Sequence, residues 1–180
     1  LLGAEVINYP LQEANHWQPD MSALAQQDLS KVKLMWLNSP HMPTGSSLQP
    51  ATIAALIDFA REHEILLVHD NPYSQILNEQ PESLLHYAGA KEVLIELNSL
   101  SKSHNMAGWR IGWLSAAKDY INTVLKVKSN MDSGMYKPMQ LAAAQALQAD
   151  QHWLSEQQER YQERKVAVQE LLDLLGSRYT

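Results

Sequence analysis

A lysine, an arginine and two serines lie close together in the segments SLSK (99–102) and GWRIG (108–112). The neutral amine of Lys102 can form an imine with an aldehyde, and a loop after a buried strand favours loss of its proton. Arg110 offers a planar fork of donors that matches a phosphate, and the hydroxyls of Ser99 and Ser101 can add hydrogen bonds. Each residue also has a simpler interpretation, because most lysines are solvated and a strand-start arginine often forms a surface ion pair.

A carboxylate and a phenol occur in the segment DNPY (70–73). Asp70 follows an apolar run, where a carboxylate is costly unless it meets a cation, and a protonated pyridine nitrogen is such a cation. Tyr73 can present its hydroxyl to a ring oxygen. The simpler alternatives are that Asp70 caps the loop before Asn-Pro and that Tyr73 packs at the edge of the core.

Four apolar runs predict the strands that must position these polar segments. The runs are Lys33–Asn38, Ile65–His69, Val93–Leu97 and Ile111–Ser115. The second run is uninterrupted, which is typical of a strand buried on both faces. Apolar residues spaced three and four apart predict a helix over residues 51–63, just after Pro50. Alternating strands and helices predict an α/β fold with a mostly parallel sheet, whose ligands bind at the carboxyl ends of the strands.

The C-terminal part of the sequence predicts a long helix from Gln151 to Leu175. This stretch contains no Gly or Pro, and Gly176 follows it as a terminator. A helix of that length spans roughly 37 Å, and it needs a surface to pack against.

Composition excludes several classes of protein. A hydrophobic content of 45% is that of a globular domain, and the absence of cysteine excludes disulfides, zinc ribbons and thiol catalysis. A net charge of −6 argues against nucleic-acid binding, and no apolar run approaches the ~18 residues of a membrane helix. The seven histidines form no H-E-x-x-H pair, so we expect no metal. The start of the sequence lacks the pattern of a signal peptide, and we expect a cytoplasmic protein.

The motifs become specific when they are taken together. An imine-forming lysine, a phosphate clamp, a carboxylate for a ring nitrogen and a phenol for a ring hydroxyl are what pyridoxal phosphate requires. Their order and spacing resemble the aspartate-aminotransferase-like class I/II aminotransferases, pyridoxal-phosphate enzymes of fold type I, close to the aspartate/diaminopimelate aminotransferase branch. The resemblance runs from AEVINYPL (4–11), taken as a strand, to the long helix. It implies the three-layer, mostly parallel sheet of the PLP-dependent transferase large domain.

The resemblance also implies a role for each candidate residue. Lys102 is implied to be the Schiff-base lysine, which also moves a proton between the substrate Cα and the cofactor. Asp70 is implied to keep the pyridine nitrogen protonated, and Tyr73 to bond the ring oxygen O3′. The implied phosphate ligands are Ser99, Ser101 and Arg110. The implied reaction is transamination between an amino acid and a 2-oxo acid, in an enzyme that is usually a homodimer.

One position departs from the family pattern. The family usually has N-P-T-G, whereas this sequence reads Met42-Pro43-Thr44-Gly45. A thioether cannot donate the hydrogen bond that the family Asn gives to O3′, and losing such a bond costs about 1–3 kcal/mol. Asn38, four residues upstream, is not an aligned substitute. The glycines at 108 and 112 are expected to let the backbone pass close to the cofactor, or to ease a tight turn.

The same resemblance predicts a domain organisation. Residues 1–150 are expected to form an incomplete cofactor-binding large domain, and residues 151–180 a long helix that leads toward a small domain outside this segment. The segment alone is expected to be inactive, because it lacks groups that position the substrate. Two other functions stay open at this point: a PLP-dependent carbon–sulfur lyase, and a non-catalytic module that senses PLP or only dimerises.

Overall fold

The computed structural model describes residues 3–78 and 80–179, apart from the side chain of Gln151. The strands within these residues are β1 (Leu34–Asn38), β2 (Leu66–Asp70), β3 (Leu94–Ser99) and β4 (Gly112–Ser115). The helices are α1 (Met21–Ala25), α2 (Pro50–Glu62), α3 (Ala90–Val93), α4 (Leu100–Ser103), α5 (Lys118–Met131), α6 (Lys137–Ala146) and α7 (Gln151–Leu174). Short 3-10 segments cover Glu13–Asn15, Leu84–His86 and Ala107–Trp109.

The four strands form one sheet in the order β1-β2-β3-β4. Strands β1, β2 and β3 are parallel, and β4 is antiparallel to β3. This confirms the predicted α/β fold with a mostly parallel sheet. Because β4 runs in the opposite direction, its first residue, Gly112, pairs with Ser99 at the carboxyl end of β3. The segment before β4 therefore lies at the same edge as the ends of the parallel strands.

Helix α2 packs on one face of the sheet and forms the core with it. The helix begins at Pro50, whose missing N–H has no partner to lose in the first turn. The predicted apolar face of α2 is buried together with inward-facing strand residues, which include Met35, Leu37, Leu67 and Leu94. On the other face of β1, Leu34 and Trp36 are exposed among the described residues. Within the described residues, helices therefore do not cover both faces of β1.

The segment AEVINYPL (4–11) forms no strand within the described residues, which corrects the expectation drawn from the resemblance. The Tyr9 hydroxyl donates to the carbonyl oxygen of Trp36 at 2.5 Å, so a side chain occupies a backbone acceptor of β1. Burial raises the pKa of the Tyr9 phenol, which keeps its proton available for this bond. The segment is tied to β1 by a side chain and not by a backbone ladder.

The C-terminal part is helical, and α7 confirms the predicted long helix. Gly176 ends it as expected, with φ +64°. The N–H groups of Gly176 and Ser177 donate to the carbonyls of Asp173 and Leu172 at 3.0 and 2.9 Å, which is the pattern of a Schellman cap. No helix in the described part of the chain is long and apolar enough to cross a membrane.

Replacing Gly112 by alanine is expected to destabilise the sheet by about 1–3 kcal/mol, the usual cost of overpacking. A Cβ at Gly112 would lie 2.8 Å from the carbonyl oxygen of Asn98, a backbone atom of the paired strand, so β3 and β4 would have to separate. Gly108→Ala is the matched control, because nothing lies within 4 Å of its Cβ position. Urea unfolding should show a change within about 0.5 kcal/mol for the control. Equal losses in the two variants would contradict this account.

Candidate active site

Polar residues end all three parallel strands at one edge of the sheet. They are Asn38, Asp70 and Ser99. Asn38 and Asp70 are register partners, and Nδ2 of Asn38 donates to the carbonyl oxygen of Asp70 at 3.0 Å. Ligands of open α/β sheets bind at this edge. The fold therefore brings the predicted residues Asp70 and Ser99 to the edge where a site is expected.

Ser99 and Ser101 form a hydroxyl pair that is anchored to the backbone. Their Oγ atoms lie 2.8 Å apart, and Ser99 Oγ accepts the N–H of Ser101 at 3.0 Å. Ser99 Oγ also lies 3.1 Å from the carbonyl oxygen of Ile111, which accepts the N–H of Leu100 at 3.2 Å. Ile111 directly follows Arg110, so these bonds hold the backbone beside Arg110 against the hydroxyl pair.

Arg110 lies in the turn before β4 with a left-handed backbone, φ 55°. One guanidinium nitrogen donates to the carbonyl oxygen of Ala107 at 2.9 Å. The side chain is exposed, and none of the ion pairs among the described residues involves it. A guanidinium that is fixed through one nitrogen keeps its other donors for an anion.

Lys102 lies in the short helix α4 and not in the expected loop. The hydroxyl of Ser99 caps this helix by accepting the N–H of Ser101, and a capped turn directly after a strand is helical without any periodic apolar pattern. The Lys102 side chain is exposed, and its Nζ lies 5.7 Å from the centroid of the Tyr73 ring. This cation–π contact joins the loop after β2 to the helix after β3. Two of the predicted site residues therefore meet.

The loop after β2 is bound to β3 through its backbone. The N–H of Asn71 donates to the carbonyl of Leu97 at 2.8 Å, and Nδ2 of Asn98 donates to the carbonyl of Asn71 at 3.3 Å. Asn71 is buried, and its Oδ1 has no hydrogen-bond partner among the described residues. Asp70 is exposed, and no hydrogen bond among residues 3–78 and 80–179 reaches its carboxylate. The backbone here is fixed, while the Asp70 carboxylate is available to a cation.

Asn38 holds the loop that contains Met42, the residue that replaces the family Asn. The N–H of Met42 donates to Oδ1 of Asn38 at 2.8 Å, and the Met42 side chain is exposed. His41 Nδ1 lies 2.9 Å from Oγ1 of Thr44 within the same loop. Both ends of the Asn38 amide are therefore engaged with backbone groups, which fixes the orientation of the amide.

A buried pair below the edge, His69 and Glu96, was missed by the sequence analysis, which counted His69 within an apolar run. His69 Nδ1 lies 3.2 Å from Oε2 of Glu96, and Nε2 lies 2.9 Å from the carbonyl oxygen of Ser39. Burial raises the pKa of Glu96, but hydrogen bonding and charge from His69, with bonds from Ser83 and Leu84, outweigh it, so the pKa lies below its usual value. One available signal was that Glu96 interrupts the apolar run Val93–Leu97 and that His69 is the polar end of the run Ile65–His69.

Helix α7 contacts both loops of the site. The Gln158 side chain accepts the N–H of Leu77 at 2.6 Å and donates to the carbonyl of Gln75. Trp153 stacks on His104, with ring centroids 5.4 Å apart and an interplanar angle of 22°. Burial lowers the pKa of His104, and a backbone hydrogen bond with Ala146 offsets this only in part, which favours the neutral ring. These contacts were not predicted from the sequence.

A cavity of about 430 Å³ opens beside the ends of β1 and β2. Its lining combines aromatic rings with polar groups and includes Tyr9, Trp36, Asn38, His41 and Asp70. Such a lining is typical of small-molecule sites. No cluster of three or more potential metal-ligating side chains occurs in the part of the chain that the structure describes.

Fold and site together define an α/β protein with a lysine, an arginine and hydroxyl groups at the carboxyl edge of a parallel sheet. Comparison with known families identifies it further. The sequence profile of the family "Aminotransferase class I and II" matches residues 1–179, and the chain belongs to that family.

Curated relatives of the chain are bacterial LL-diaminopimelate aminotransferases. The enzyme of Dehalococcoides mccartyi is 40% identical over 182 residues, which cover 100% of this chain and 47% of the relative. That of Moorella thermoacetica is 38% identical over 178 residues, which cover 98% of this chain and 46% of the relative. The chain therefore spans about half the length of the curated relatives that it matches.

Solved structures of similar fold are also aminotransferases. A probable N-succinyldiaminopimelate aminotransferase from Thermus thermophilus has a TM-score of 0.84 at 30% identity, over 93% of this chain and 45% of that one. An aspartate aminotransferase mutant from Thermus thermophilus has a TM-score of 0.87 at 28% identity, over 97% and 46%. These neighbours confirm the PLP-dependent transferase fold that the resemblance implied.

Stability should depend on pH through Glu96. Folding lowers the pKa of this carboxyl, so the ionised form stabilises the fold above the ordinary value of about 4.5, and the contribution is lost as pH falls through the lower folded pKa. We expect Glu96→Gln to reduce the free energy of unfolding by about 3–5 kcal/mol at pH 7, with a smaller difference at pH 3. Urea unfolding at both pH values measures this difference.

The matched control for this prediction is Glu92→Gln. Glu92 pairs with Arg61 at 3.1 Å, but both side chains are largely exposed, so its loss should change stability by less than about 1 kcal/mol. A Glu96→Gln difference that does not narrow at low pH would contradict the prediction.

Proposed function

We propose that the protein is a pyridoxal-phosphate-dependent aminotransferase, which moves an amino group between an amino acid and a 2-oxo acid. The observation that carries the proposal is the approach of the Lys102 amine to the Tyr73 ring, 5.7 Å from Nζ to the centroid, on the loops that follow β2 and β3. Membership of the class I and II family supports the same chemistry.

The donor set at the sheet edge fits the cofactor group by group. An exposed amine at Lys102 suits an aldehyde. The hydroxyl pair and the guanidinium of Arg110 suit a phosphate, since charge-assisted hydrogen bonds to phosphate are strong and Arg binds it in bidentate fashion. The Asp70 carboxylate accepts hydrogen bonds only, which suits a protonated ring nitrogen. The Tyr73 phenol suits the ring oxygen.

Each residue then has a defined task in the reaction. When bound, pyridoxal phosphate supplies an electron sink for the bond that breaks at the substrate Cα. The Asp70 carboxylate holds a proton on the pyridine nitrogen, because a neighbouring anion favours the charged form of that group. Lys102 Nζ would accept the proton of the substrate Cα as a general base and pass it to the cofactor. The Tyr73 phenol donates to the ring oxygen.

The phosphate contacts position the ring for this chemistry. Ser99 Oγ is fixed by the Ser101 N–H, and the Ile111 carbonyl lies within hydrogen-bond distance of it, so the hydroxyl needs little reordering on binding. Arg110 is held through the Ala107 carbonyl. Preordered groups of this kind reduce the entropy that binding would otherwise cost.

The proposal extends to the organisation of the protein. Residues 1–150 are taken as part of a cofactor-binding domain, and residues 151–180 as the helix toward a second, smaller domain. A cytoplasmic homodimer acting on small amino and 2-oxo acids is the setting that the family resemblance implies. The relatives named LL-diaminopimelate aminotransferases make a diaminopimelate-type amino acid the first substrate to test.

Lys102→Ala is expected to abolish covalent capture of the cofactor. After the protein is mixed with pyridoxal phosphate and reduced with borohydride, peptide mapping should find the label at Lys102 in the wild type and none there in the variant. In the full-length protein, amino-group transfer should fall by about 10²–10⁴-fold, the usual contribution of a positioned acid–base group.

Lys118→Ala is the control for this experiment, because Lys118 is an exposed lysine on α5. Its labelling pattern should match that of the wild type. Labelling scattered over many lysines would refute the proposal. Release of ammonia and a thiol in place of a 2-oxo acid would instead indicate a carbon–sulfur lyase.

Met42→Asn is expected to tighten binding of pyridoxal phosphate. The Asn amide adds a donor at the exposed position where the family pattern has one, and a hydrogen bond of about 1–3 kcal/mol corresponds to a roughly five- to 150-fold lower Kd. Met42→Leu has a similar volume and no donor, so its Kd should stay at the wild-type value. A titration of cofactor absorbance measures both, and an unchanged Kd in Met42→Asn would contradict the missing-bond account.

A further inference from the structure

The His69–Glu96 pair is a buried polar contact that the proposed reaction does not use. His69 on β2 and Glu96 on β3 are register partners in the parallel sheet. The two residues are 1% and 4% exposed, in strands whose other inward residues are apolar. A charged or polar pair is costly at such a position unless its hydrogen bonds are satisfied.

The partners of His69 determine how many protons its ring carries. Nε2 lies 2.9 Å from the carbonyl oxygen of Ser39, and a carbonyl oxygen can only accept. Nδ1 lies 3.2 Å from Oε2 of Glu96, and the same oxygen accepts the N–H of Leu84 at 3.0 Å. Both ring nitrogens therefore face acceptors, which requires a proton on each of them. His69 is an imidazolium in this arrangement.

Glu96 supplies the charge that makes a buried imidazolium tolerable. Oε2 also accepts from the hydroxyl of Ser83 at 3.0 Å, so three donors converge on one oxygen, as expected for a carboxylate. Two groups face the His69 ring directly: the Ser39 carbonyl from the loop after β1, and the Glu96 carboxylate from β3. Ser83 and Leu84, in the turn before β3, contact Glu96 and so affect the ring only through it. Glu96 is the titratable side chain in hydrogen-bond contact with His69 among the described residues.

The imidazolium connects two parts of the candidate site. Ser39 begins the loop that carries Met42, and His69 immediately precedes Asp70. The bond from His69 to Ser39 lies on the core side of the sheet, and the bond from Asn38 to the Asp70 carbonyl joins the same two strand ends. The loop and the strand end are therefore tied together at two successive residue pairs.

We propose that His69 is a doubly protonated positioning residue, which fixes the Met42 loop against the strand end that carries Asp70 and thereby sets the affinity for the cofactor. The role in cofactor affinity rests on the proposed function, whereas the protonation of the ring does not. A neutral ring would leave either Ser39 or Glu96 without its donor. In the first case the loop would lose one of its two ties, and in the second His69 would lose its link to the 83–84 turn through Glu96.

The protonation state is tested by NMR on the wild-type protein with 15N-labelled histidine, without cofactor. We expect both ring nitrogens of His69 to show protonated shifts at pH 7. His152, whose contact with Glu156 at 3.3 Å is exposed, is the reference histidine in the same spectra. One protonated and one unprotonated nitrogen on His69 at pH 7 would overturn the proposal, whatever the protein binds.

The positioning role is tested by the Kd for pyridoxal phosphate in Glu96→Gln, which keeps an acceptor for His69 but removes the charge. Relative to wild type at each pH, we expect a similar Kd at pH 6 and about a tenfold weaker Kd at pH 8, as the His69 ring loses its second proton. His69→Gln should be weaker at both pH values, and His152→Gln should equal wild type.

The outcomes separate three cases. A purely structural role for the pair would give a Glu96→Gln to wild-type Kd ratio that is the same at pH 6 and pH 8, which would refute the positioning role. If His69→Gln fails to fold, the Glu96→Gln ratio and the wild-type NMR still decide. Absence of cofactor binding by the wild type would refute the proposed function together with the positioning role, while the NMR result would still decide the protonation of His69.

Discussion

Parallel pairing of β1, β2 and β3 in register is the constraint on which the candidate site depends. Asn38, Asp70 and Ser99 end these strands, so hydrogen bonds between strands set the spacing of residues that are far apart in the sequence. Strand β4 adds Arg110 to this edge because it runs antiparallel. A parallel β4 would have carried the turn before it to the opposite edge, away from the hydroxyl pair. Gly112 permits the close approach of β4, since any side chain there would meet the backbone of β3.

The core beneath this edge changes from apolar packing to charged packing within one strand. Leu67 pairs with Leu94 in the apolar part, and His69 pairs with Glu96 two residues further toward the site. Apolar residues would stabilise the sheet as well or better, because desolvating an ion pair is costly. What the His69–Glu96 pair adds is a fixed orientation of the segments that it contacts. Its hydrogen bonds join the loop after β1 and the 83–84 turn to fixed atoms, whereas apolar contacts restrict distance but not orientation.

Local patterns in the sequence were sufficient to predict the four strands and the helices α2 and α7. The apolar runs predicted the four strands to within two residues at each end, and the spacing in 51–63 predicted α2, because a buried periodic face needs only local information. The four-residue helix that carries Lys102 leaves no such pattern. The direction of β4, the bonds of Asn38 and the pairing of His69 with Glu96 all depend on contacts between distant segments, which local patterns do not record. The segment 4–11 was misjudged for the same reason, since strand formation depends on a partner.

Helix α7 supports the candidate site in addition to the sheet, through contacts with two of its segments. Gln158 bonds to backbone groups of Gln75 and Leu77, so it fixes the path of the loop after Tyr73 whatever side chains that loop carries. Trp153 packs on the ring of His104, two residues after Lys102. These two contact residues are five positions apart on one helix, about 7.5 Å along its axis. Because one helix contacts both segments, the separation of the segments that carry Lys102 and Tyr73 depends on the contacts of α7 as well as on strand pairing.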